Sequence, residues 1–97
     1  MQDIFIMSTK EKLLGRFLRL PKDFTYQELT RLLNGFGYVE ETKGKTSGSR
    51  VMFFNQEKEH SILIHKPHPG NILKAYVMKY VLDELKAIGF IENKDNK

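Results

Sequence analysis

Arg50 opens a run of strand-forming residues, Val51-Met52-Phe53-Phe54, and His65 closes another, Ser61-Ile62-Leu63-Ile64. Side chains alternate along a strand, so Val51 and Phe53 share one face and Ile62 and Ile64 share another. Pairing these four as the buried set puts Val51 opposite Ile64 and Phe53 opposite Ile62 in an antiparallel hairpin. The same register puts Arg50 opposite His65 on the other face, with Met52 opposite Leu63. A two-residue slip would keep the faces and change the partners. A neutral imidazole beside a fixed guanidinium suits chemistry on a phosphodiester: the ring takes a proton while the guanidinium holds phosphate oxygens. The alternative is that His65 merely ends a strand and the pair points to water.

Other chemistries find less complete sets of groups. The chain has no cysteine, which excludes a disulfide scaffold, a thiolate zinc site, an iron–sulfur cluster and a cysteine nucleophile. His65 and His68 lack a nearby third ligand, so a zinc site is not expected, and no cofactor is implied. Gly44-Lys45-Thr46 has the ending of a phosphate-binding loop, but the upstream glycine is missing and a strand, not a helix, follows. Ser49 and His65 have no evident acidic orienter for a hydrolase triad.

The elements that must carry these residues change period once along the chain. Ser8-Thr9-Lys10-Glu11 is a capping-box pattern before Leu13, Leu14, Phe17 and Leu18 at helical spacing, and Pro21 stops that helix. A second capping box, Thr25-Tyr26-Gln27-Glu28, precedes Leu29, Leu32, Leu33 and Phe36, with Gly35 and Gly37 as the stop. Strands are then expected over residues 38–42, 49–54 and 61–65, joined by the Gly44–Gly48 turn and a polar turn over residues 55–60. A last helix is expected from about Leu73 to Ile88, with Tyr76, Val77, Tyr80, Val81, Leu85 and Ile88 inward. Phe17, Leu29, Leu33, Phe36 and Tyr80 read as core; Tyr76 is expected to pack on the sheet, with stacking of a base as its alternative. The order helix, helix, strand, strand, strand, helix gives an α+β domain: a three-stranded antiparallel meander packed on helices, with its other face open. Met52, Phe54 and Leu63 fall on that open face, as a partner surface or beneath the first helix.

The 97 residues amount to one domain, with a core over about 24–90 and flexible ends at 1–7 and 92–97. Hydrophobic residues make up 40% and charged residues 29%, which excludes a disordered chain. No apolar run reaches the roughly 20 residues that span a bilayer, so no membrane role is expected. Ile4-Phe5-Ile6-Met7 is too short for a signal peptide, and a second start at Met7 would make the first six residues an upstream extension. The absence of cysteine suits a reducing cytoplasm.

Charge is concentrated. Between residues 43 and 79, the seven basic residues Lys43, Lys45, Arg50, Lys58, Lys66, Lys74 and Lys79 face only Glu57 and Glu59, giving +5 against +4 for the whole chain. His60, His65 and His68 lie in the same stretch. A positive patch attracts polyanions, of which nucleic acid is the commonest in a cytoplasm, though lysines on loops and edges also serve solubility.

Gly48-Ser49-Arg50-Val51-Met52-Phe53, followed by Ile64-His65-Lys66-Pro67-His68-Pro69-Gly70-Asn71-Ile72-Leu73-Lys74, resembles the HicA family of toxins from bacterial type II toxin–antitoxin systems. The likeness covers roughly Phe24 to Phe90 and leaves the first helix outside. It implies a double-stranded-RNA-binding-domain-like fold, metal-independent cleavage of mRNA, neutralisation by a HicB-type antitoxin, and a cytoplasmic stress-response role. The family pattern reads Gly-Ser-His, its histidine being catalytic; here Gly48 and Ser49 match and the third position is Arg50. His68 and Lys74 match further positions of the pattern without acquiring a catalytic role from it. With Arg50 opposite His65, the imidazole can work from the adjacent strand. His65 is then the general base toward a ribose 2′-OH, Arg50 steadies the phosphate, and His68 protonates the leaving oxygen or binds RNA. Lys43, Lys45, Ser49, Arg50, Lys66 and Lys74 form the expected RNA-binding set. The alternative is a catalytically inactive RNA-binding or protein-interaction domain of the same fold.

Overall fold

The computed structural model describes residues 9–41, 50–67 and 70–92. The elements follow the expected order: α1 (Thr9–Leu18), α2 (Tyr26–Gly35), β1 (Tyr38–Glu41), β2 (Arg50–Asn55), β3 (His60–His65) and α3 (Ala75–Ala87). The strands form one antiparallel sheet in the order β1-β2-β3. Helices cover one face of this sheet, and α1 packs on α2.

Local chemistry fixes the ends of the elements. Thr25 caps α2: the Glu28 N–H donates to its Oγ1 (3.1 Å) and the Thr25 N–H donates to the Glu28 carboxylate (2.9 Å). Gly37 leaves α2 with φ +100°, and a Cβ there would stand 3.1 Å from the Asn55 amide nitrogen. The capping box proposed at Ser8 lies outside the described residues.

Two strand ends differ from the sequence reading. β2 runs on to Asn55 and β3 starts at His60, because those two residues still pair. Asn55 is buried, yet its amide donates to the Phe36 carbonyl (2.9 Å) and its Oδ1 accepts the Lys58 N–H (2.9 Å), so it closes the turn without an unmet polar group. α3 starts at Ala75, not Leu73. The segment before it is held extended against the entry to α2: the Tyr26 N–H donates to the Asn71 carbonyl (2.8 Å) and the Leu73 N–H to the Phe24 carbonyl (2.9 Å).

The core joins Phe17 of α1, Leu29, Leu32 and Leu33 of α2, Tyr38, Val51, Phe53 and Ile62 of the sheet, and Val77, Val81 and Leu85 of α3. Phe36 is half-buried against it. Tyr80, expected inside, is not: 38% of it is exposed, and Tyr76 is 66% exposed. Met78 and Leu82 take the buried places instead, and Ile88 is only half-buried. The buried stripe of α3 is therefore rotated by about one residue from the expected one, and the tyrosines stand beside the edge strand β3.

A forked ion pair docks α1 on α2. Arg16 Nε and Nη2 donate to the Glu28 carboxylate at 2.9 and 3.1 Å. The hydrogen bond from Arg16 holds the Glu28 carboxyl below its ordinary range, with a further contribution from the Thr25 N–H. A depressed folded-state pKa gives stability that is complete above the unfolded value, near about 4.3, and is lost as pH falls through the folded value. Urea midpoints measured across this range should fall on acidification, with part of the fall absent in Glu28→Gln. An identical acid profile for that variant would contradict the assignment.

Candidate functional site

The register of β2 on β3 is the one that parity predicts: Arg50 faces His65, Val51 faces Ile64, Met52 faces Leu63 and Phe53 faces Ile62. Val51, Phe53, Ile62 and Ile64 are buried beneath the helices. Arg50 and His65 are exposed on the opposite face, at the end of the hairpin remote from the Asn55–His60 turn. Neither side chain has an ion pair or hydrogen bond among the described residues, so both are available to a ligand.

The chain leaves β3 at His65 and returns into α3, which brings two of the predicted lysines to the same place. His65, Lys66, Pro67, Leu73, Lys74, Tyr76 and Val77 line a cleft of about 140 Å³. Lys74 sits at the N-cap of α3 with no side-chain cap hydrogen bond. Lys66 follows the alternation of the strand to the helix-covered side, where its Nζ lies 5.3 Å from the centre of the Tyr26 ring. It therefore reaches the cleft from beneath, while His65 reaches it from the open face, with Arg50 across the hairpin from His65. Lys43, Lys45, Ser49 and His68 lie outside the described residues.

His60 belongs to a different constellation. The Glu84 carboxylate can only accept, so His60 Nε2 carries a proton and donates to it (2.8 Å). In the neutral ring, Nδ1 then accepts from the Tyr38 hydroxyl, 2.6 Å away. Burial, with the Glu84 charge behind it, pushes the Tyr38 phenol up to about 12. This chain ties β1, β3 and α3 together at the far end of β3, and leaves His60 no free nitrogen for catalysis.

Sequence reasoning misses Tyr80, which it places in the core, and prefers packing over base stacking for Tyr76. With Leu63, Ile64, His65 and Val77 the two tyrosines instead line a groove of about 300 Å³ that adjoins the cationic cleft. Val39, at 61%, and Leu63, at 45%, are exposed on the open face, with Met52 and Phe54 half-buried between them. α1 does not shield this patch. A larger cavity of about 420 Å³, lined by Leu14, Leu18, Leu82, Lys86, Phe90, Ile91 and Glu92, offers no comparable pairing of base and phosphate-binding groups. Among the described residues, no helix is long and apolar enough to cross a membrane, and no three His, Asp or Glu side chains are grouped to hold a metal ion.

A three-stranded meander backed by helices, with basic residues at one corner of its uncovered face, is an α+β domain of the double-stranded-RNA-binding-domain-like type. Within that class, the family model described as HicA toxin of bacterial toxin–antitoxin matches residues 26–92. The match spans every element from α2 to α3, and the chain belongs to the HicA toxin family. α1 lies outside it as an addition to the family core. Comparison with curated proteins and with solved structures gave no match.

Proposed function

We propose that this toxin is an endoribonuclease that binds and cleaves mRNA in the cytoplasm and is neutralised by a HicB-type antitoxin. The observation that supports this reading most is the Arg50–His65 pair, exposed and unengaged among the described residues, with His65 lining a cleft that it shares with Lys66 and Lys74. His65 takes the proton from a ribose 2′-OH. The 2′-oxygen attacks the adjacent phosphorus, and the bond from phosphorus to the 5′-oxygen breaks. Arg50 holds the non-bridging oxygens as charge gathers on them, and its fork suits that task better than a lysine would. His68 delivers a proton to the departing 5′-oxygen. The products are a 2′,3′-cyclic phosphate and a 5′-hydroxyl. The nucleophile belongs to the substrate, so RNA is cut and DNA is not.

One observation favours a second reading. Arg50 stands where the family pattern has its catalytic histidine, and a domain without a base would bind RNA and leave it intact. Purified protein in EDTA separates the two. The first reading predicts that RNA is cut, that DNA of the same sequence survives, and that added antitoxin stops the cutting. Retention of RNA without cleavage would support the second. The antitoxin would cover the open face around Arg50 and His65, where Val39 and Leu63 offer apolar surface.

A further inference from the structure

Neither the core nor the mechanism above uses the two exposed tyrosines of α3. Tyr76 and Tyr80 are four residues apart, so their rings lie one above the other on the same side of the helix. They border the groove of about 300 Å³ between α3 and β3, with Leu63 opposite and His65 at one end. The cationic cleft of His65, Lys66 and Lys74 shares His65, Tyr76 and Val77 with this groove. The two are therefore adjoining halves of one surface, one half charged and one half aromatic. A nucleotide is divided in the same way, into an anionic phosphate and a flat, largely apolar base.

We propose that the Tyr76–Tyr80 groove is a subsite for an unpaired nucleobase, which stacks on Tyr76 while its phosphate rests on Lys66 and Lys74. Charge favours this occupant over an apolar protein segment. Lys74, in the adjoining cleft, has no ion pair among the described residues. The carboxylates beyond Tyr80 are occupied, Asp83 by Lys79 at 4.0 Å and Glu84 by His60 at 2.8 Å. Base–aromatic stacking tolerates any base, so the subsite selects for strand state more than for sequence. A duplex keeps its bases inside the stack and cannot fill it. The inference rests on the RNA reading above and deepens it: the toxin takes its substrate single-stranded next to the cleavage point.

The test is binding of the full-length protein to a single-stranded 2′-O-methyl oligonucleotide, which cannot be cut through its 2′-oxygen, and to the same strand with abasic sites. Tyr76→Ala should weaken binding to the base-bearing strand by about 5- to 150-fold, the range that loss of one stacked base gives. The salt slope should not change, because no phosphate contact is lost, whereas Lys74→Ala should reduce it by about 0.7. Tyr76→Phe should restore what Tyr76→Ala loses, and the abasic strand should bind wild type and Tyr76→Ala alike. Circular dichroism checks that the variants fold. If wild type binds the strand and Tyr76→Ala binds it equally well, the subsite is overturned and the RNA reading stands. If wild type binds no strand at all, both are overturned. If Tyr76→Ala loses affinity for the antitoxin and keeps it for RNA, the groove is a protein-docking site and the proposal fails.

Discussion

Replacing His65 by alanine should slow RNA cleavage by about 10²- to 10⁴-fold, the usual worth of a positioned general base. The fold should survive, because His65 is exposed and makes no side-chain hydrogen bond or ion pair among the described residues. RNA binding should fall little, because the phosphate contacts proposed for Arg50, Lys66 and Lys74 remain, and such contacts dominate affinity. The signature is a loss in kcat with a nearly unchanged dissociation constant. Arg50→Lys should behave differently. It keeps the charge and loses the two-pronged contact, so it should lower the rate without abolishing salt-sensitive binding. A His65→Ala protein that cleaves at the wild-type rate would remove His65 from the mechanism and direct attention to His68.

The second large effect is on folding. Phe53 is wholly buried at the centre of the middle strand, between Glu40 of β1 and Ile62 of β3 in register, with its ring 6.2 Å from that of Tyr26. Truncation to alanine should cost about 3–5 kcal/mol, as other buried phenylalanines do. A domain of this kind has about 5–15 kcal/mol in total, so the variant should be severely destabilised. Leu63→Ala, two residues from His65 but 45% exposed, should change stability by less than about 1 kcal/mol. Urea unfolding of the two variants measures the contrast. Toxicity should disappear with Phe53→Ala even though every residue of the site is intact, because β2 and β3 together hold Arg50 opposite His65. A Phe53→Ala protein within about 1 kcal/mol of wild type would contradict this account of the core.

Much of this arrangement is legible from the sequence because it depends on local rules. The Thr25–Glu28 box marks the start of α2, since both of its hydrogen bonds join residues three apart. The faces of the hairpin follow from only four apolar residues, because a one-residue slip of either strand would turn its buried pair to water. That is why Arg50 and His65 can be placed on one face before a structure is seen, while a two-residue slip would have changed their partners and the observed register is what sets them opposite each other. The rest depends on distant surroundings. On α3, Tyr76 and Tyr80 flank Val77 and Val81 on one side, and Met78 and Leu82 flank them on the other. Both stripes have helical spacing, and only the position of the sheet decides which one is buried. His60 is misread as a turn residue for a similar reason. Its partners, Tyr38 and Glu84, are 22 and 24 positions away, and no local pattern signals such bonds.

The reaction assigned to the open face is tested most directly by the ends of its products. RNA digested by the purified protein in EDTA should carry 2′,3′-cyclic phosphate on one fragment and 5′-hydroxyl on the next, read by mass spectrometry. Those ends require attack by the substrate's own 2′-oxygen, the step in which we propose that His65 removes the proton. Fragments ending in 3′-hydroxyl and 5′-phosphate would show that water is the nucleophile, and would contradict the mechanism built on Arg50 and His65.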